Sequence, residues 1–378
     1  MPKINPGFAA LQPYLFSTLA AKAVAKGDGV LQLVSGNPDL PTPEVITEAL
    51  ARAATGYYPD PPSLGDDRLR EAIAQYYVRQ FGVEISAENI IVGHGTKTDL
   101  WDIGRVFSAE GDTYILPDPG YPIVKESSVF EGRTPHEVPF SKEHIWDLRC
   151  LDRSEFSLVY LCNPNNPNGA VQYKDTVSAI AARAVDANAL LLCDIVYADF
   201  HLLSDKAAPS VFNAEGTDSV AVELGGFKAY SMTGFRVSWF ATKNEEIAQR
   251  WKRFKNNRDK GTPVPIQVAA CEALTNKEAR GAMAQHMDVY RKRAGALKKG
   301  LEGLGLEVHG LGHTPFAWVR VPQGCTSAGF AQRLLDECNL LVVPGTAFGS
   351  EGEGFVRLSI FADEGQIQEA VSRISRAL

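Results

Sequence analysis

Lys228 stands eight positions before Arg236 in the run Gly226-Phe227-Lys228-Ala229-Tyr230-Ser231-Met232-Thr233-Gly234-Phe235-Arg236. The spacing, with a short Met-Thr-Gly turn between them, brings an amine and a guanidinium to one pocket. A lysine whose neighbours lower its pKa forms a Schiff base with an aldehyde. An arginine clamps a phosphate through two parallel hydrogen bonds. Taken alone, such a pair is more often a surface Lys and Arg flanking a loop, so other segments must decide.

Asp194-Ile195-Val196-Tyr197 follows the apolar run Ala189-Leu190-Leu191-Leu192-Cys193. That run is short and bounded, as a buried parallel strand is. Asp194 then falls at the strand's carboxyl end, where open α/β sheets bind ligands. A carboxylate there can pair with a protonated ring nitrogen, and Tyr197 can donate to a phenolate oxygen. By itself Asp194 reads equally well as a helix cap or turn former. Upstream, Cys162-Asn163-Pro164-Asn165-Asn166-Pro167-Asn168-Gly169 follows the strand Ser157-Leu158-Val159-Tyr160-Leu161. Its Asn-Pro dipeptides force turns and free amide side chains from ladder bonding.

Together these segments resemble the class I/II aminotransferases, fold-type I enzymes that use pyridoxal 5'-phosphate (PLP). The motifs that carry the resemblance are Asn163-Pro164-Asn165-Asn166-Pro167-x-Gly169, Asp194-x-x-Tyr197, and Lys228 with Arg236. It extends over nearly the whole chain, from Gly36-Asn37-Pro38-Asp39 to Arg357. Gly93-His94-Gly95-Thr96-Lys97-Thr98-Asp99-Leu100 and Asp118-Pro119-Gly120-Tyr121-Pro122 look most like the LL-diaminopimelate aminotransferase branch.

The resemblance implies roles. Lys228 would hold PLP as a Schiff base and shuttle the α-proton. Asp194 would pair with the pyridinium, and Asn166 and Tyr197 would bond the ring's 3-oxygen. Tyr121 would stack on the ring. Gly95, Thr96 and Lys97 would open a helix whose amides cradle the phosphate, and Arg236 would complete that grip. Arg357 would bind the substrate α-carboxylate, with Gly36 and Asn166 beside it. Tyr57 or Tyr58 and the segment near Thr262 would complete the phosphate site of a partner subunit in a homodimer. No metal site is implied.

Four positions, in three places, depart from the family pattern. Gly225 and Phe227 stand where serines are usual, the farther of which bonds phosphate. Asn168 replaces a threonine, and Ser238 replaces a glycine two residues after the arginine. The first departure keeps open a PLP-dependent lyase or carbon–carbon bond-forming synthase as the alternative to an exchange between an α-amino acid and a 2-oxo acid. A catalytically silent protein on the same scaffold is the third alternative.

These residues need a frame to hold them. The chain has 378 residues, 45% of them hydrophobic, enough for a large core and two domains. Its net charge of −7 argues against a nucleic-acid surface. The basic run Trp251 to Arg258 is expected to be a solvated helix face. None of the six cysteines forms a Cys-x-x-Cys pair, and several lie in apolar runs, as reduced cytoplasmic thiols do. The seven histidines lack metal-ligand spacing, and His94 is expected beside the phosphate loop without a catalytic role. No secretory segment and no apolar stretch near membrane-spanning length appears, so a soluble protein without membrane contact is expected.

Strands are predicted at Ile90 to Val92, Thr113 to Leu116, Ser157 to Leu161, Ala189 to Cys193, Ser219 to Val222 and Val237 to Phe240, with helices such as Tyr173 to Asp186 between them. That alternation predicts an α/β fold with a doubly wound, mainly parallel sheet of the seven-stranded type. A smaller α+β domain is predicted from strands at Phe316 to Val321 and Phe355 to Ile360 and helices at Ala328 to Glu337 and Glu364 to Leu378. The expected divisions are an arm over 1–40 packing with the small domain, a large PLP-binding domain over 41–260, and the small domain over 261–378.

Overall fold

The computed structural model describes residues 2–11, 13–56, 59–141, 145–152 and 155–378. Tyr57 and Tyr58, expected at a partner's phosphate, lie outside the described residues.

The large sheet has seven strands: β1 (Ile90–Gly93), β2 (Thr113–Asp118), β3 (Thr134–Pro139), β4 (Leu158–Cys162), β5 (Leu190–Asp194), β6 (Ala221–Gly226) and β7 (Ser238–Thr242). Their spatial order is β1-β7-β6-β5-β4-β2-β3. Every pairing is parallel except those of β7, which runs antiparallel to both β1 and β6. Every residue of β4 and β5 is buried. Helices on both faces of a parallel sheet require this, and it is why these strands read as unbroken apolar runs. Six of the seven strands match the predicted ones, with ends shifted by at most four residues. β3 was not predicted. It is an edge strand with Pro135 and Glu137 in its sequence, so it has neither alternation nor an apolar run to announce it.

The second sheet is antiparallel. Its strands are β8 (Val308–Gly310), β9 (Phe316–Arg320), β10 (Val343–Pro344) and β11 (Phe355–Ser359), in the order β10-β11-β9-β8. Helices Ser327–Cys338 and Glu364–Ala377 accompany it. The second of these is started by a reciprocal capping box between Asp363 and Gln366. The N-terminal arm joins this unit. Leu31–Gln32 pairs in parallel with Leu340–Leu341, and Leu19 and Ala23 of the helix Leu15–Lys26 pack among Trp318, Leu335, Val343 and Phe348. The helix Val264–Thr275 packs on the helices Glu44–Ala53 and Asp67–Phe81.

The basic run Trp251 to Arg258 is not simply a solvated face. Trp251 and Lys255 are buried, with the Trp251 ring stacked on Phe240. Lys255 pairs with Asp259, and Arg258 pairs with Asp102 and Asp259. Charges on one side of this helix thus face carboxylates under the sheet's end, a partnership that charge counting along the chain could not foresee. No helix among the described residues is long and apolar enough to cross a membrane.

Candidate active site

The carboxyl ends of β1, β2, β4, β5 and β6 converge on one cavity of about 550 Å³, closed on its other side by Arg357 of β11 and by the arm. Ten of the residues singled out from the sequence line it: Gly36, Thr96, Lys97, Tyr121, Asn166, Asp194, Tyr197, Lys228, Arg236 and Arg357. They are scattered over more than 300 positions of sequence, so the large sheet's crossovers, the second sheet and the arm together assemble the site.

Most of them lie at or just past a strand end. Asp194 terminates β5, and its backbone oxygen accepts from Asn163 N, which locks the Asn-Pro loop to the strand. The Asp194 side chain is buried, and Oδ1 accepts from Val196 N–H at 3.1 Å. Burial pushes its carboxyl up to about 6, against the pull of that N–H and of the Lys228 ammonium. Lys228 opens a single 3-10 turn just past β6 and donates from Nζ to the Tyr197 hydroxyl at 2.9 Å.

Arg357 is 1% exposed. It donates to Asn166 Oδ1 at 2.8 Å and to the Val34 carbonyl at 2.7 Å, and its guanidinium lies 4.1 Å from the Phe316 ring centre. Burial pulls its pKa down to about 10, still well above neutrality, so it remains a cation. With the Asn166 amide oxygen turned to Arg357, the Nδ2 donor is the group Asn166 can offer to an anionic oxygen. Gly36 lies beside the Tyr197 hydroxyl, where a Cβ would sit 3.6 Å away.

At the opposite end, the helix Thr96–Asp102 starts from Gly95, whose φ is +99°. A Cβ at Gly95 would collide with the Arg236 guanidinium, which fixes glycine there and sets the arginine against the helix start. The structure corrects one detail of the sequence expectation. The Gly95 N–H is taken by Ser238 Oγ at 2.8 Å, so the amides left for an anion are those of Thr96 and Lys97. The Lys97 ammonium stands 3.6 Å over the ring of Tyr14, which also hydrogen-bonds Tyr121.

These groups match the chemistry of PLP. The helix start with Arg236 suits the phosphate, Asp194 is a buried carboxyl that accepts a hydrogen bond from Val196 N–H, and Lys228, Tyr197 and Asn166 line the same cavity. No group of three or more His, Cys, Asp or Glu arranged to hold a metal occurs among the described residues.

The departures in the motifs have local causes. The Trp239 ring covers Gly225, leaving no room for a Cβ, and Phe227 packs edge-on to Trp239 at 5.3 Å. Phe227 is buried in the core, away from the cavity, so the aromatic neighbour of Lys228 leaves the reacting end of the pocket unaltered. Asn168 closes its own loop by accepting from Asn165 Nδ2 at 2.7 Å and Ala170 N at 3.1 Å. His94 lies between Asp259 (3.3 Å) and the Thr262 hydroxyl (3.4 Å), outside the cavity lining. The Thr262 hydroxyl is buried and donates to its own chain's Gly93 carbonyl at 2.8 Å.

Sequence reasoning missed Tyr14, Val34 and the pair Ser238–Asp99. Tyr14 belongs to an arm with no motif, and Val34 contributes only a backbone oxygen. Ser238 had shown itself as a departure from pattern, the one available signal.

Comparison with known proteins agrees with this geometry. The profile of the family described as "Aminotransferase class I and II" matches residues 28–374. The LL-diaminopimelate aminotransferase of Dehalococcoides mccartyi strain 195 is 32% identical over 386 residues, covering 99% of this chain and 98% of the relative. That of Aquifex aeolicus is 32% identical over 376 residues, covering 96% of each. Among solved structures, substrate-bound BacF from Bacillus subtilis superposes with a TM-score of 0.92 at 28% identity, covering 100% of this chain and 98% of the other. Thermus thermophilus aspartate aminotransferase with maleate gives a TM-score of 0.92 at 28% identity, with both chains covered in full.

Proposed function

The chain belongs to the class I and II aminotransferases, PLP-dependent enzymes that exchange an amino group between an α-amino acid and a 2-oxo acid, and from that premise we propose the roles of its residues. The observation that carries them is the Lys228 Nζ to Tyr197 hydroxyl bond at 2.9 Å, in a cavity that also holds Asp194 and Arg357.

PLP, when bound, supplies an electron sink that makes the substrate α-proton removable. Arg357 receives the substrate α-carboxylate through its guanidinium fork, exchanging the Val34 contact for the ligand, with Asn166 and Gly36 alongside. Lys228 would anchor the cofactor covalently and serve as the base that takes and returns the α-proton at Nζ. Tyr197 holds that amine in place and, with the Nδ2 of Asn166, would donate to the ring oxygen. Asp194 would keep the ring nitrogen protonated, because a carboxylate at close range favours the cation. Tyr121 would pack against the ring. Thr96 and Lys97 hold the phosphate through backbone N–H groups at a helix start, Gly95 by leaving space, and Arg236 by its guanidinium.

The cavity lining also carries the Lys97 ammonium and the Tyr14 phenol. A cation beside a phenol suits an amino acid whose side chain ends in a carboxylate. The relatives' named activity and the maleate-bound neighbour point the same way. We take LL-diaminopimelate first, with aspartate and glutamate as shorter members of the class. A homodimer with shared sites, a cytoplasmic setting, and the division into arm, large and small domains complete the proposal. A purified holoenzyme given single amino donors and 2-oxoglutarate tests the substrate class by oxo-acid formation. Turnover confined to donors with apolar side chains would rule the acidic class out.

A further inference from the structure

Ser238 opens β7, and both of its ladder neighbours are glycines, Gly93 on β1 and Gly226 on β6. Its hydroxyl is fully buried. It accepts from Gly95 N–H at 2.8 Å and donates to Asp99 Oδ2 at 2.5 Å. Asp99 is 3% exposed and lies on the helix that Gly95 starts. The Gly93 Cα faces both groups so closely that a Cβ there would overlap the Asp99 carboxylate and the Ser238 hydroxyl. A hydroxyl has one proton and two lone pairs. With the proton committed to Asp99, a lone pair is turned to Gly95. The relay therefore ties the sheet's end, the positive-φ turn and the body of the helix into one unit.

The lysine segment carries Gly225 and Phe227 ahead of Lys228, so neither position offers a hydroxyl. We propose that Ser238, backed by Asp99, is a positioning residue that sets the Gly95 turn and so aims the Thr96 and Lys97 N–H groups at the phosphate of PLP. The proposal rests on the phosphate assignment above. Asp99 contributes as an acceptor that orients the hydroxyl. Its charge is balanced by Lys255 and Arg258 on the helix Glu245–Arg258, against Asp102 on its own helix.

The test compares PLP with pyridoxal, which lacks the phosphate. Holoenzyme is stripped and reloaded, and dissociation constants for both are read from absorbance. Ser238→Ala and Ser238→Gly should bind PLP about tenfold more weakly and pyridoxal within about twofold of wild type, the scale of one lost oriented hydrogen bond. Asp99→Asn, whose amide oxygen still accepts the hydroxyl proton, should stay within about threefold of wild type for both ligands. Unchanged PLP affinity in both Ser238 variants would overturn the proposal. Equal losses for PLP and pyridoxal would also overturn it, because that pattern marks general loosening. A wild-type protein that gains no affinity from the phosphate would instead sink the phosphate assignment.

Discussion

Arg357 Nη1 donates to Asn166 Oδ1 at 2.8 Å, across 191 positions of sequence and from a strand of the small sheet to a loop of the large one. A buried guanidinium is costly unless its donors are met. Asn166 and Val34 meet two of them, which fixes the guanidinium at the seam between the two sheets.

Replacing Arg357 by lysine keeps the charge and loses the fork. We expect kcat/KM to fall roughly 10–1,000-fold, with about 1.4 kcal/mol for each factor of ten. The absorbance of the bound cofactor should be unchanged. Release of PLP with an unaltered KM for the amino acid would move Arg357 to the cofactor site.

Lys228→Ala should remove the visible band of covalently held cofactor and essentially all turnover, while circular dichroism and oligomeric state persist. The measurement is decisive because Tyr197, the amine's partner at 2.9 Å, cannot take over as an amine. Wild-type turnover in Lys228→Ala would refute the assignment.

Asp194→Ala should lower kcat by several orders of magnitude, and Asp194→Glu by less, as expected if the carboxylate keeps the ring nitrogen protonated. A near-normal kcat in Asp194→Ala would show that the electron sink is set by another group.

The cofactor-free protein should lose stability as pH rises from about 4 to 7.5. Burial raises Asp99 and Asp194 to about 6 and Glu223 to about 7, from ordinary values of 3.8, 3.8 and 4.5. A carboxyl raised in the folded state binds protons that the unfolded chain has released. Its contribution is therefore full below the unfolded value and is lost as pH passes the folded one. Asp259, lowered to about 2 chiefly by Lys255 despite its burial, acts oppositely as pH falls below about 4. Burial lowers His94, His286 and His313 by smaller amounts, which oppose the slope below their ordinary value of 6.5. Thermal melts of the apoprotein across this range check the slope. Glu223→Gln, which still accepts from Ser210 Oγ and Val211 N, should flatten its upper part. A melting temperature that rises steadily from pH 5 to 7.5 would contradict this.

Sedimentation should report twice the chain mass of 41.1 kDa. A fully active monomer would defeat the shared-site homodimer. Thr262 bears on where sharing can occur, since its hydroxyl donates to the Gly93 carbonyl and its own carbonyl accepts from Gln267 Nε2, both within its own chain.

Local sequence carried much of this. The runs at β4 and β5 are apolar throughout because both faces of a parallel strand are buried, so strand and strand end could be read directly. Asp194 was read from that end, Lys228 and Arg236 from a spaced motif, and Arg357 from the family resemblance. The edge strand β3 left no such trace, because one side of an edge tolerates Pro135 and Glu137. Other relationships are properties of crossovers and are invisible along the chain. Tyr14 over Lys97, the Val34 carbonyl on Arg357 and the Ser238 relay between Gly95 and Asp99 each join segments far apart in sequence. A departure such as Ser238 for glycine is legible as a letter. What its hydroxyl does depends on β7 lying antiparallel between β1 and β6, which no local pattern encodes, because pairing is decided by burial of the whole sheet.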